Sequence, residues 1–147
     1  MIPIKSASQI QAMREACRIT GEALALAGRA VAPGVTTGQL DQIVRHHIES
    51  CGASPSFLGY GGFPASACIS VNEEIIHGIP GSRKIREGDI VSIDVGAYYR
   101  GFHGDSAATF AAGTPSDENR RLIEVTRQSF FEGAKFAREG YLSLIHI

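Results

Sequence analysis

The sequence predicts an α+β fold in which helices lie on one face of an antiparallel sheet. Two stretches near the N-terminus show helical apolar periodicity behind capping-box patterns. Two β-rich arms, Ile90 to Tyr99 and Phe102 to Phe110, flank the turn Arg100-Gly101, and a further helical stretch follows Ser116. The order helix, helix, strands, helix lacks the strict alternation of a parallel β-α-β sheet, so an antiparallel sheet with helices segregated to one side is the expected architecture.

With 147 residues, 44% of them hydrophobic and 20% charged, the chain has the composition of one globular domain with a real core. A formal net charge of −1 and the lack of any run of five basic residues argue against a direct nucleic-acid site. No apolar run is long enough to span a bilayer, and the segment around Lys5 and Arg14 lacks the apolar core of a secretory signal. The expectation is therefore a cytoplasmic protein with no membrane contact. Cys17, Cys51 and Cys68 are odd in number and widely spaced, which suits free thiols better than a disulfide framework or a zinc knuckle.

The first helix opens at Ser6-Ala7-Ser8-Gln9 and carries apolar positions at Ile10, Met13, Cys17, Leu24, Ala27 and Val31 before Pro33-Gly34 stops it. Cys17 is predicted to be a small buried residue on that stripe. The second opens at Thr36-Thr37-Gly38-Gln39, faces inward through Leu40, Ile43, Val44, His47, Ile48 and Cys51, and closes at Gly52. His46 and His47 point to different faces; neither is read as having a partner at helical metal spacing, so both are expected to be structural or surface histidines.

From Ala53 to Ala67 the chain is too apolar for a solvated linker and too rich in Gly and Pro for a regular element. Phe57, Tyr60 and Phe63 either line a pocket for an apolar side chain or plug the core beneath a loop. Ala67 to Val71 reads as a short strand and Asn72-Glu73-Glu74 as a turn, and in the stretch from Ile75 to Gly81 His77 ends an apolar run and is followed at once by Gly78. His77 suits a hydrogen-bond donor or a general acid/base at a strand end, or else a structural histidine. Arg83 to Gly88 is a polar connection into the hairpin.

In the hairpin, a two-residue loop at Arg100-Gly101 sets Asp94 opposite Ala107 and Asp105 opposite Gly96, making the two acids diagonal neighbours on one face. Convergent carboxylates repel unless one takes a proton or a cation lies between them. A divalent ion with oxygen ligands at about 2.0–2.2 Å satisfies both, whereas two solvated acids on an open sheet face would need no ion. Gly96, Gly101 and Gly104 remove bulk around the pair. Past Gly113-Thr114-Pro115, Ser116 caps a helix with Asp117 and Glu118 in its first turn. That helix is expected to run to about Arg138, with Leu122, Val125, Ser129, Gly133 and Phe136 facing inward.

With His77-Gly78-Ile79-Pro80, Asp94-Val95 and Gly101-Phe102-His103-Gly104-Asp105 in hand, the chain resembles the type I methionine aminopeptidases from about residue 5 to residue 140. Thr36-Thr37-Gly38 after Pro33-Gly34, and the stretch from Gly59-Tyr60 to Cys68-Ile69-Ser70, match the same pattern. The resemblance implies a pita-bread fold of two pseudo-symmetric halves, with residues 1–141 as the N-terminal half of the catalytic domain. It implies an enzyme that removes the N-terminal methionine of nascent polypeptides at the ribosome and is monomeric when full length. Two divalent metal ions (cobalt, manganese, iron, zinc or nickel) would be held by two aspartates, one histidine and two glutamates, polarising the scissile carbonyl, anchoring the free amine and activating water.

By the same resemblance Asp94 and Asp105 are metal ligands, and His77 is catalytic and contacts the substrate near the scissile amide. Tyr60, Phe63 and Cys68, with Phe57 nearby, line the methionine side-chain pocket. Phe57 stands where the family often has a smaller residue and Phe63 where it often has Tyr, so the pocket is expected to be apolar with its size unset. The other ligand histidine, the two glutamates and a second catalytic histidine belong to the family's C-terminal half. Residues 142–147, Leu-Ser-Leu-Ile-His-Ile, depart from the family pattern and read as a truncated or chimeric terminus; His146 is not expected to replace a ligand. The chain alone is accordingly expected to be inactive and, with a bare sheet edge and apolar face, poorly soluble. A proline-specific peptidase of the same fold is the nearest alternative, but its Ser-Asp-x-Thr-Arg-Thr setting differs from Gly104-Asp105-Ser106-Ala107-Ala108-Thr109. A non-catalytic binding module is the other, and the presence of both acids weighs against it.

Overall fold

A computed structural model describes residues 3–141, which fall into two compact units divided between Thr114 and Pro115. The tail at 142–147, with His146, lies outside the described residues. The first unit contains α1 (Ala7–Ala30), α2 (Thr37–Ser50), β1 (Ser54–Pro55), β2 (Ala67–Val71), β3 (Ile90–Tyr99) and β4 (Phe102–Ala111). The second contains α3 (Asp117–Ala134). Among the described residues no helix is long and apolar enough to cross a membrane.

Both capping boxes form. Ser6 Oγ accepts from Gln9 N at 3.3 Å while the Gln9 side chain accepts from Ser6 N at 2.8 Å, and Thr36 and Gln39 repeat the exchange. Gly52, at φ 69°, takes the left-handed position after α2.

The sheet is antiparallel. β3 pairs with β4 along its full length on one side and with β1 and β2 on the other. Its register places Asp94 against Ala107 and Gly96 against Asp105, as the two-residue turn predicts. Arg100 and Gly101 both have positive φ, 49° and 88°, the signature of a type I′ hairpin turn. Arg100 is a side-chain-bearing residue held in the left-handed region, so Arg100→Asn is expected to stabilise the fold by about 1 kcal/mol. The check is a higher urea midpoint with an unchanged slope.

α1 and α2 cover one face. Ile69, Val71, Val91, Ile93, Val95 and Ala97 of the sheet meet Ile19, Ala23, Ala27, Leu40, Val44 and Ile48 in the core. Cys17, predicted to be buried, is instead exposed. The inner face of α1 is Ala16, Ile19, Thr20, Ala23, Leu24 and Ala27, and where the helix comes closest to β4 it presents the small residue Ala16 to Gly104. A Cβ on Gly104 would stand 2.5 Å from the Ala16 carbonyl, and one on Gly28 would strike the Phe110 ring. Thr20 Oγ1 and Ser106 Oγ meet at 3.2 Å in the same seam.

Two further expectations are corrected. His77, expected at a strand end, sits instead at φ 59° in an irregular strap, with Ile75 and Ile76 before it exposed. Gly78 lies against β2, donating from N to Ser70 Oγ at 3.0 Å and accepting from Ile69 N at 2.8 Å, a contact that leaves no room for a side chain. α3 begins at its Ser116 cap but ends at Ala134 rather than near Arg138, and none of its residues is buried. Leu122, Val125 and Phe136 are each more than half exposed, since the described part of the second unit holds no other helix or strand to cover them.

Candidate metal centre and substrate cleft

Alternation along β3 sends Val91, Ile93, Val95 and Ala97 into the core and Ser92, Asp94 and Gly96 to the opposite face. Registers carry that choice to the neighbouring strands. Cys68 and Ser70 of β2 pair with Asp94 and Ser92, and Asp105 pairs with Gly96, so Cys68, Asp94 and Asp105 share the face away from α1 and α2. They line a cleft of about 600 Å³ together with Phe57, Tyr60, Phe63, Pro64, His77 and Ile79.

The structure thus brings every predicted site residue to one cleft: Asp94, Asp105, His77, Tyr60, Phe63, Cys68 and Phe57. Their exposure differs. Cys68 is buried, Phe57 and Phe63 are half-buried, and His77 and Asp105 are exposed. Tyr60 forms the rim, with 82% of its surface free. Phe57 is set by a close approach, its ring lying where a Cβ on Gly96 would be, at 2.6 Å.

Asp94 is the electrostatic centre of the cleft. Its Oδ1 is buried and has no hydrogen-bond partner. Burial pushes its carboxyl up to about 6, and the adjacent Asp105 adds to the shift. Burial also pushes the Cys68 thiol up to about 11, reinforced by both carboxylates, so at neutral pH Cys68 presents a neutral thiol to the cleft. A half-buried carboxylate with one unpartnered oxygen beside a second carboxylate is a site lacking a positive charge. The donor set, oxygen from two aspartates, fits a divalent cation.

A model of metallopeptidase family M24 matches residues 11–146. The chain belongs to that family.

M24 membership implies a divalent metal cofactor, in keeping with the unsatisfied Asp94 oxygen. This M24 chain is 51% identical over 141 residues to a methionine aminopeptidase of Clostridium acetobutylicum, covering 95% of itself and 56% of that protein. It is 47% identical to methionine aminopeptidase 1 of Bacillus subtilis over 95% of itself and 56% of that protein. The crystal structure of methionine aminopeptidase from Rickettsia prowazekii superposes with a TM-score of 0.88 at 36% identity, over 90% of this chain and 54% of that one. The α+β architecture is therefore half of a pita-bread fold, and the chain spans about half the length of the curated relatives it matches.

Some contributors carried no recognisable signal in the sequence. Asp41 of α2 accepts from Ser66 N and Ala67 N at 2.8 and 2.9 Å, holding the chain where it leaves the aromatic loop for β2. His103 Nδ1 meets Ser56 Oγ at 2.8 Å and anchors the start of that loop to β4. Away from the cleft, His47 does have a partner at helical spacing, contrary to the sequence reading. Cys51 lies four residues on, its Sγ 3.7 Å from His47 Nε2. The signal was present as His-x-x-x-Cys, obscured because both residues also fit the apolar stripe of α2.

Proposed function

We propose that the protein carrying this chain is a metal-dependent aminopeptidase that removes the N-terminal methionine of nascent polypeptides in the cytoplasm. In this reading residues 1–141 act as the N-terminal half of its catalytic domain. The observation that carries the reading is the buried, unpartnered Asp94 Oδ1 beside Asp105, in a cleft walled by Phe57, Phe63 and Cys68. The identity to proteins named methionine aminopeptidase supports it.

Asp94 and Asp105 would be the oxygen ligands this half contributes to a centre of two divalent ions, drawn from cobalt, manganese, iron, zinc or nickel. When bound, such a centre supplies Lewis-acid polarisation of the scissile carbonyl and a water of lowered pKa. The chain's own residues do the rest. Phe57, Phe63 and the neutral Cys68 thiol would accept an unbranched thioether side chain, with Tyr60 covering its outer end. His77, held on its strap by Gly78, would hydrogen-bond the substrate near the scissile amide and hold or pass a proton there. The substrate would be met at the ribosome by a monomeric enzyme.

The test is release of methionine from Met-Gly-Met with cobalt or manganese present. It is measured on this chain and on a chimera continuing it with the C-terminal half of the Clostridium acetobutylicum relative. The chimera is expected to release methionine and to lose that activity with Asp94→Asn, while this chain alone gives no release above its Asp94→Asn control. A folded chimera that cleaves nothing, or one that cleaves equally well without Asp94, overturns the proposal.

A further inference from the structure

Among the described residues, one group of three or more side chains has the chemistry and spacing of a metal site, and it lies in the helical layer, away from the Asp94–Asp105 cleft. It consists of Glu22 on α1 and His47 and Cys51 on and just after α2. We propose that Glu22, His47 and Cys51 form a second, thiolate-containing site for a zinc-class cation, bridging α1 and α2.

The argument is first geometric. One ligand atom from each residue lies within 4.8 Å of the others. Glu22 Oε2 and His47 Nε2 are 3.3 Å apart, and His47 Nε2 and Cys51 Sγ are 3.7 Å apart. A tetrahedral zinc ion with Zn–O and Zn–N near 2.0 Å and Zn–S near 2.3 Å sets those edges at roughly 3.3 and roughly 3.5 Å. The cage needs little closure. The i,i+4 spacing places the imidazole and the thiol on one side of the helix, and α1 supplies the third ligand from across the helix pair.

The setting favours a cation. Cys51 is the residue at which α2 ends, and the aligned peptide dipoles of the helix place partial negative charge at that end. Glu22 is engaged by Arg18, whose Nη1 lies 2.7 Å from both carboxylate oxygens, but the pair is about half exposed on each side and such pairs are weak. The site is accessible, with 44% of the Glu22 side chain and 20% of the His47 side chain exposed, leaving a fourth position open to water. One sulfur, one nitrogen and one oxygen donor select zinc, cobalt or nickel over magnesium or calcium, whereas the paired aspartates offer oxygen alone. An ion count on this protein would therefore include an ion outside the cleft.

Cobalt(II) titration of the metal-free chain tests this, because a thiolate ligand produces a charge-transfer band in the near ultraviolet that carboxylates do not. The band is expected in the wild-type chain, in Asp94→Asn and in Cys68→Ser. It should vanish in Cys51→Ser, require more than about tenfold more cobalt in His47→Ala, and be displaced by zinc. In the unmodified chain, zinc should slow alkylation of Cys51 while leaving the exposed Cys17 untouched, a readout that needs no variant to fold. Absence of the band in the wild-type chain, its loss in Cys68→Ser with retention in Cys51→Ser, or alkylation of Cys51 unaffected by zinc would each overturn the proposal.

Discussion

Manganese is expected to raise the melting temperature of the wild-type chain and to leave that of Asp94→Asn unchanged. At a concentration about a hundredfold above its Kd, a ligand confined to the folded state adds about 2.7 kcal/mol, or roughly 10 °C for a unit of this size. Manganese suits the test because it prefers carboxylate oxygen to the thiolate and imidazole at Cys51 and His47. The metal-free variant should meanwhile melt above metal-free wild type at neutral pH, since asparagine removes a charge held beside Asp105 in a partly buried position.

The pH dependence has a definite sign. Asp94 is raised to about 6 in the folded chain, above an unfolded value of about 3.9, so folding favours its protonated form. Its contribution is fully present below about pH 4 and is lost as pH rises through about 6. The wild-type chain without metal should therefore lose stability relative to Asp94→Asn across that window, and saturating manganese should remove the difference in slope. Thermal melts of both proteins from pH 4 to pH 8 would decide it; parallel curves would mean that Asp94 does not carry the strain assigned to it.

Gly104→Val is expected to cost about 3 kcal/mol or more, enough to unfold a marginal domain. Even a Cβ at this position would lie 2.5 Å from Ala16 C and O and 2.6 Å from Cys17 N, and these are backbone atoms that no rotamer change can move. Lifting α1 off β4 would open the seam that holds Thr20 against Ser106, and would tilt the strand that carries Asp105. Gly21→Ala is the control: its added Cβ meets nothing within 4 Å, and alanine favours the helix. Urea titration should separate the two by opposite shifts of the midpoint. A Gly104→Val protein as stable as wild type would show that the α1–β4 approach is looser than the structure has it.

What the sequence determined alone was local or carried by a short repeat. Capping boxes at Ser6 and Thr36 are four-residue patterns that act through their own backbone. The hairpin register follows from a period of two and a two-residue turn, which is why the diagonal placement of Asp94 and Asp105 was legible before any coordinates. The His77-Gly78-Ile79-Pro80 and Gly-Phe-His-Gly-Asp settings were legible as a family pattern, though the left-handed backbone of His77 was not.

Tertiary structure decided the rest, because it depends on how closely distant segments approach. Cys17 is exposed because α1 turns its alanines to the sheet, and nothing in a helical repeat reveals that β4 offers a glycine there. Asp94 is held in its raised state first by burial and then by Asp105; the register foretold the second, but no spacing rule supplies the first, which depends on what segments remote in sequence line the cleft. Glu22 meets His47 and Cys51 only because α1 and α2 pack side by side, so two of the three ligands were readable as an i,i+4 pair and the third required the fold. Local rules specify which way a side chain points along its own element; long-range packing decides what it meets there.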